Sequence, residues 1–438
     1  MEALPLVFFV TVLALLLLGF PVAFTLGGVS VIFGMIVFGP DFFHLLPLRV
    51  YGIMSNYILI AVPLFIFMGV MFEKSGLAEE LLETMALLFG KLRGGLAISV
   101  LVVGALLAAA TGIVGATVVT MGVLSLPTML KKGYSPKIAS GIITSSGTLG
   151  QIIPPSIVLV LLGSVLNISV GELFIAALVP GLLLVGGYLL WIIFMAFKNP
   201  ESMPPMPAEE LREFRNSNPV FKVITAFLLP FLLITAVLGS IFTGIASPTE
   251  AAALGAFGAA LLTIFKRKFS FGVLRDVMKQ TTKLTSMAFM ILVGASAFGL
   301  VFRGMGGDKY LTSLIAGSNL DPYFFLFFVM LIIFIAGFFI DFIEITFIIV
   351  PVVAPIFVHL EMNLLWIGIL IAINLQTSFL TPPFGFSLFF LKGVAPEGVK
   401  TTDIYKGAIP YVVMQIVILL AIVFYPQIAL WLPSVLSY

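Results

Sequence analysis

SSGTLGQIIPPSIVLVLLG, residues 145–163, sets two consecutive prolines, Pro154 and Pro155, inside an apolar run. Adjacent prolines remove two amide donors and clash with the preceding turn, so a helix must break there. A second run, LTPPFGFSLFFLKGVAP at 380–396, breaks in the same way at Pro382 and Pro383. Pro155 and Pro383 lie 228 positions apart, and Pro127 and Pro355 repeat that offset. Further out, Pro21 of GFPVAFTLGG matches Pro248 of SPTEAAALGA at 227, Gly27 matches Gly255 at 228, and Pro180 of ALVPG matches Pro410 of GAIPY at 230. Self-similarity at an offset of 227 to 230 along the chain marks two copies of one unit.

Composition places both copies in lipid. Of 438 residues, 61% are hydrophobic and 10% charged, and the mean hydropathy of +1.22 exceeds what a water-facing surface carries. A hydrocarbon core of about 30 Å asks for roughly 20 apolar residues per helix. The first copy offers such runs at 4–19, 22–38, 57–72, 138–166 and 171–197, and the second at 224–246, 249–265, 285–302, 363–391 and 408–432. Met1-Glu2-Ala3-Leu4 lacks the basic segment of a secretory signal, so the first run is expected to be a permanent span. The absence of Cys and the 2 His exclude thiolate chemistry and leave little for a His-based metal site. No HExxH, GxSxG or GxxxxGK[ST] occurs, which argues against an enzyme or an ATP-driven pump. The net charge of +2 and the lack of a basic, aromatic-laced patch give no sign of nucleic-acid binding.

Residues 94–130 fit none of these spans. Lys91 and Arg93 precede the segment, and Lys131, Lys132 and Lys137 follow it, so the positive-inside rule puts both ends on the cytoplasmic face. Its middle, AATGIVGAT at 109–117, is too small and polar for an exposed periplasmic loop. A re-entrant hairpin is expected, because irregular backbone at membrane depth survives only when buried or facing a cavity. The equivalent segment, 322–360, is flanked by Asp321 and Glu361 without Lys or Arg, as a periplasmic entry would be. Five crossings per copy invert the second relative to the first. The expected fold is therefore an all-α polytopic membrane protein of two inverted-topology repeats. Each repeat holds about five spanning helices, one broken at mid-membrane, and a re-entrant helical hairpin. The first repeat is 1–197 (hairpin 94–130, broken helix 138–166), the linker is 198–222 on the cytoplasmic side, and the second repeat is 223–438 (hairpin 322–360, broken helix 363–391). The stretches 73–93 and 266–283 alternate charged and apolar residues and read as helices lying along the membrane surface, for packing or for lipid or partner contact.

A broken helix exposes carbonyls at the end of one half and amides at the start of the other, where no water competes. Such carbonyls, with the hydroxyls of Thr148, Ser156, Thr377, Ser378 and Thr381, suit sodium, and the amides suit an anionic group. A packing kink would account for one such proline site; matching breaks in two copies point to a substrate and ion site. The hairpin tips expected to meet the breaks carry Thr111, Gly112, Ile113, Gly115 and Thr117 in the first copy and Asp341, Glu344 and Thr346 in the second. An ionisable group such as Asp341 within a membrane segment is a functional candidate by default, the alternative being a structural pair or a watery mouth. Glu250 and Arg303 are further substrate candidates; Arg303 would grip a carboxylate, or else snorkel beside Asp308.

The stretches SSGTLGQIIPPSIVLVLLG, SPTEAAALGA, ILVGASAFG (291–299) and LTPPFGFSLFFLKGVAP together resemble the large membrane subunit of tripartite ATP-independent periplasmic (TRAP) transporters, from about Phe20 to Pro410. The resemblance implies a sodium-coupled secondary transporter in a bacterial or archaeal cytoplasmic (inner) membrane. It implies a separate periplasmic substrate-binding protein and a small four-helix membrane subunit as partners, and an elevator-type motion of hairpins and broken helices against a scaffold. The implied substrate is a small organic anion such as a C4-dicarboxylate, a sugar acid or sialic acid, and Na+ is the implied coupling ion. By the same resemblance the sodium sites fall at Thr111, Gly112, Ile113, Gly150, Ile153 and Pro155 in the first copy, and at Asp341, Thr377, Ser378, Thr381 and Pro383 in the second. Glu250, Arg303 and Asp341 fall on the substrate side, joining Thr148 and Ser156. TGIVGATVVT departs from the family's serine-rich first tip. A single-component sodium- or proton-coupled anion symporter on the same inverted-repeat plan is the competing expectation.

Overall fold

The computed structural model describes residues 4–216, 218–316 and 321–436. Met1-Glu2-Ala3 of the N-terminal reading and Ser217 of the linker lie outside them. Every regular element among the described residues is helical. Seven of these helices are long and apolar enough to cross a membrane, or eight if the pair Phe342–Ile348 and Val350–His359, bent by 50°, counts as one. Shorter apolar helices include Leu4–Leu17, Val22–Phe38 and one piece of each broken span, Ile157–Leu166 and Leu364–Leu380.

Helix boundaries recur along the chain as the prolines do. Leu4–Leu17 is answered by Leu229–Phe242, Val22–Phe38 by Pro248–Phe265, Gly95–Thr111 by Pro322–Ala336, and Val170–Lys198 by Thr401–Phe424. Both expected breaks are present. Pro136–Thr148 gives way at 149–156 before Ile157–Leu166, and Leu364–Leu380 gives way at 381–385 before Phe386–Val394. The segments read as hairpins hold helical pairs: Gly95–Thr111 turns at Gly112 and Ile113 into Val114–Lys131, which is itself long and apolar enough to cross a membrane, and Pro322–Ala336 turns through 337–341 into Phe342–Ile348, followed by Val350–His359.

Two expectations about extent need correction. The span placed at 408–432 is the helix Thr401–Phe424, which stops before Pro426, and the separate helix Gln427–Leu436 follows. Proline cannot continue the backbone ladder, so the apolar pattern ran through a boundary that the hydrogen bonds do not. The stretch 266–283 is no surface-lying helix. Most of it opens the continuous 34-residue helix Phe271–Gly304, about 51 Å long at 1.5 Å per residue, well beyond the hydrocarbon thickness. The linker 198–222 is fastened to the first half: Gly94 N–H donates to Met203 O at 3.0 Å, Met206 N–H to Gly90 O at 2.8 Å and Ser135 N–H to Ser202 O at 3.3 Å. Its helix Ala208–Asn216 adds an ion pair from Glu210 to Lys132.

Packing divides the helices into two groups. Val22–Phe38 lies along Phe271–Gly304, and Pro248–Phe265 along Ala61–Lys74. The hairpins and broken helices pack on one another and on Val170–Lys198 and Thr401–Phe424. Small residues let these backbones approach, as in membrane helix pairs generally. An added Cβ at Gly141 would lie 2.2 Å from Gly407 O, so Pro136–Thr148 and Thr401–Phe424 cross almost backbone to backbone. Between the groups, Leu77–Leu88 buries Leu77, Leu81, Leu82 and Met85. Its Glu80 pairs with Lys266 and, at 3.0 Å, with Lys268.

Candidate functional site

The first hairpin apex is shaped by one left-handed glycine. Gly112 has φ +60° and donates its N–H to Ala108 O at 2.8 Å, closing Gly95–Thr111 as only a residue without a side chain does readily. Hydroxyls organise the turn around it: Thr111 Oγ1 lies 2.7 Å from Thr117 Oγ1, and Thr117 Oγ1 donates to Ile113 O at 3.0 Å. This apex sits on the break of its own half. A Cβ at Gly112 would lie 3.0 Å from Ile157 N, and one at Gly150 would lie 2.5 Å from Ala108 O. On the opposite side a Cβ at Gly69 would lie 2.3 Å from Thr111 Cα, so the apex is wedged between the break and the helix Ala61–Lys74.

The second half repeats the arrangement with different chemistry. A Cβ at Gly337 would lie 2.1 Å from Ser378 Oγ, bringing the second apex onto the second break. The rings of Phe339 and Phe384, 5.0 Å apart, join the same two segments. Asp341 caps Phe342–Ile348: Phe342 N–H donates to its Oδ1 at 2.7 Å, and Asp341 N–H donates to Glu344 Oε2 at 3.2 Å. Asp341 and Glu344 thus form a capping box at the apex.

Candidate ligand hydroxyls line both breaks. Thr148 Oγ1 donates to Ser145 O at 2.8 Å, Ser156 Oγ to Gln151 O at 2.9 Å, Thr377 Oγ1 to Ile373 O at 2.7 Å, Ser378 Oγ to Leu375 O at 2.8 Å, and Thr381 Oγ1 to Thr377 O at 2.7 Å. A hydroxyl that spends its proton on a carbonyl keeps its lone pairs for a cation. Ile157–Leu166 and Phe386–Val394 both begin without a side-chain cap, the kind of helix start that can receive an anion, although Leu388 N–H is taken by Gly385 O at 2.9 Å. Each half therefore gathers an apex, a carbonyl-rich helix end and an uncapped helix start. The halves also interlock: a Cβ at Gly115 of the first hairpin would lie 2.9 Å from the Phe390 ring of the second broken helix.

The family model described as the tripartite ATP-independent periplasmic transporter, DctM component, matches residues 9–428. The chain belongs to the DctM family. Among relatives of this DctM-family chain, the C4-dicarboxylate TRAP transporter large permease protein DctM of Pseudomonas aeruginosa is 32% identical over 408 residues, covering 93% of each chain. The ectoine/5-hydroxyectoine TRAP transporter large permease protein UehC of Ruegeria pomeroyi is 30% identical and covers 97% of both chains. The sialic acid TRAP transporter large permease protein SiaM of Vibrio cholerae is 26% identical and covers 96% of both. A solved structure, the YdaH transporter of Alcanivorax borkumensis, shares the fold at a TM-score of 0.63 with 13% identity, covering 98% of each chain. The DctM-family chain is thus a multi-pass membrane transport permease.

Two expected substrate residues stand apart from the apices and breaks. Glu250 is exposed and accepts from Ser247 N–H at 2.8 Å in a capping box that starts Pro248–Phe265. Arg303 is exposed near the end of Phe271–Gly304. Among the described residues, neither is joined to the hairpin apices by a hydrogen bond or an ion pair. Conversely, this DctM-family fold buries a polar cluster that sequence reading passed over. Gln415 Nε2 lies 2.6 Å and Gln376 Nε2 3.5 Å from Tyr188 Oη, all three side chains at 0% exposure. Gln151, in the first break, is equally buried with neither amide atom partnered among the described residues. Glutamine inside an apolar run was the available signal.

Proposed function

We propose that the chain is the permease of a sodium-coupled secondary transporter that takes up a small organic acid anion delivered by a periplasmic binding protein, working with a small four-helix membrane subunit in a bacterial or archaeal inner membrane. The docking of each hairpin apex onto the break of its own half carries this reading. It sets helix C-terminal carbonyls and hydroxyls beside uncapped amides twice in one chain, the arrangement a cation and an anion need when they travel together. The donor set suits sodium: neutral hydroxyl and carbonyl oxygens, with the Asp341 carboxylate added in the second half. Thr111, Gly112, Ile113, Gly150, Ile153 and Pro155 form the first candidate ion site, and Asp341, Thr377, Ser378, Thr381 and Pro383 the second. Thr148 and Ser156 face the substrate side; Glu250 and Arg303 would act at a mouth rather than between the apices.

Inverted repeats are supported by how the last long helices of the two halves meet. Lys198, the last residue of Val170–Lys198, lines one groove with Gly407, in the first third of Thr401–Phe424, and Tyr188 farther back packs against Tyr411 with ring centroids 5.0 Å apart. Equivalent helices that meet end to start run in opposite senses. The interlocked hairpins and breaks would then slide as one body along the paired scaffold helices. The names of the relatives favour C4-dicarboxylates, ectoine or sialic acid as the type of cargo.

The test is uptake of labelled organic acids into ATP-free proteoliposomes holding this chain and its small subunit, with and without a sodium gradient and a candidate binding protein. Uptake that needs both the gradient and the binding protein is expected. Uptake by this chain alone would replace the tripartite reading with a single-component symporter.

A further inference from the structure

We propose that a groove between Pro136–Thr148, Val170–Lys198 and Thr401–Phe424 binds the headgroup of an anionic phospholipid. The groove encloses about 320 Å³, with Lys137, Lys198 and Asn199 among the residues lining it and Ile138, Ile142 and Trp191 supplying apolar wall. Its shape follows from the glycine crossing already described: Gly407 approaches so closely that a Cβ there would lie 2.1 Å from Lys137 O, which leaves bare backbone where side chains would otherwise fill the space. Both lysines are exposed, and neither forms an ion pair among the described residues. Lys198 Nζ instead lies 5.5 Å from the Phe194 ring centroid.

Charge selects the occupant. No acidic residue lines this groove, whereas the neighbouring cavity of about 540 Å³ is lined by Glu79, Glu83, Glu210 and Glu213 besides its lysines. Two cationic side chains and an amide at one end of an apolar trough, beside a tryptophan of the kind enriched at membrane interfaces, fit a phosphodiester above and an acyl chain below. The sequence puts Lys137 and Lys198 on the cytoplasmic side, the face whose anionic lipids attract basic residues. The site relies on that topology but on no step of transport. The lipid would ride on the body that carries the hairpins.

Delipidated protein titrated in mild detergent with phosphatidylglycerol or phosphatidylcholine, read by native mass spectrometry, tests this without any uptake assay. Phosphatidylglycerol should bind in preference. Each lysine beside an anionic headgroup is worth about five-fold in affinity, so Lys137→Gln with Lys198→Gln should lose roughly 25-fold. Lys137→Arg with Lys198→Arg should keep the preference. Equal binding of the two lipids, retention of the preference in the glutamine variant, or displacement of phosphatidylglycerol by excess inorganic phosphate would each overturn the lipid site. A failed uptake experiment would leave the outcome untouched.

Discussion

Asp341 holds a helix start and supplies a carboxylate, and substitution separates the two. Asparagine keeps the capping oxygen that Phe342 N–H uses at 2.7 Å, while alanine removes both features and costs about 0.5–2 kcal/mol of helix stability. Asp341→Asn should therefore unfold at the wild-type temperature in detergent yet lose sodium-driven uptake, whereas Asp341→Ala should lose both. Wild-type uptake by Asp341→Asn would leave Asp341 a cap and nothing more. At this scale the sequence was readable wherever a residue type is forced. Gly112 and the paired prolines announced a turn and two breaks, because few other residues fit there. Glu250, read from the sequence only as a substrate candidate, closes a capping box with Ser247. Tyr188, Gln376 and Gln415 meet from three helices, a proximity that no local pattern encodes.

Among the elements, Leu77–Leu88 is tied to the opposite half through Glu80. Burial alone would raise the Glu80 carboxyl, but hydrogen bonds and charge from Lys266 and Lys268 outweigh it and hold the group below the usual glutamate range. A depressed folded-state value gives stability that is complete above the ordinary glutamate pKa of about 4.3 and is lost as pH falls through the lowered value. Glu80→Gln should thus cost roughly 0.5–1 kcal/mol near neutrality, since the pair is partly exposed, and the two proteins should converge in strong acid. Thermal unfolding followed from pH 7 downward measures this; parallel curves would show that the pair adds no stability. Apolar run length located most helices, since a spanning helix has to be about that long. It missed the 50° bend between Phe342–Ile348 and Val350–His359 and the end of the last long span at Phe424. Those are hydrogen-bonding events inside an unbroken apolar pattern.

For the whole molecule, the hairpins, breaks and long crossing helices interlock, while the contact of Thr111 with Gly69 joins the first apex to the scaffold. In the proposed cycle a sliding body has to make that contact in one state and break it in another. The recurrence of motifs near 228 residues was legible because the matching segments share prolines and glycines; the contact of the first apex with Ala61–Lys74 was not, because Gly69, Ala110 and Thr111 are small residues of a kind found throughout the sequence. The chain contains no native cysteine, so single cysteines report cleanly. The most direct measurement uses two variants, Thr111→Cys and Ile343→Cys, each labelled by an impermeant thiol reagent from either face of oriented vesicles, with and without sodium. Inverted hairpins on a moving body require the Thr111→Cys variant to label from the cytoplasmic face and the Ile343→Cys variant from the periplasmic face, with sodium shifting the two in opposite directions. Labelling of both from one face under every condition would contradict the inverted arrangement and, with it, the proposed transport cycle.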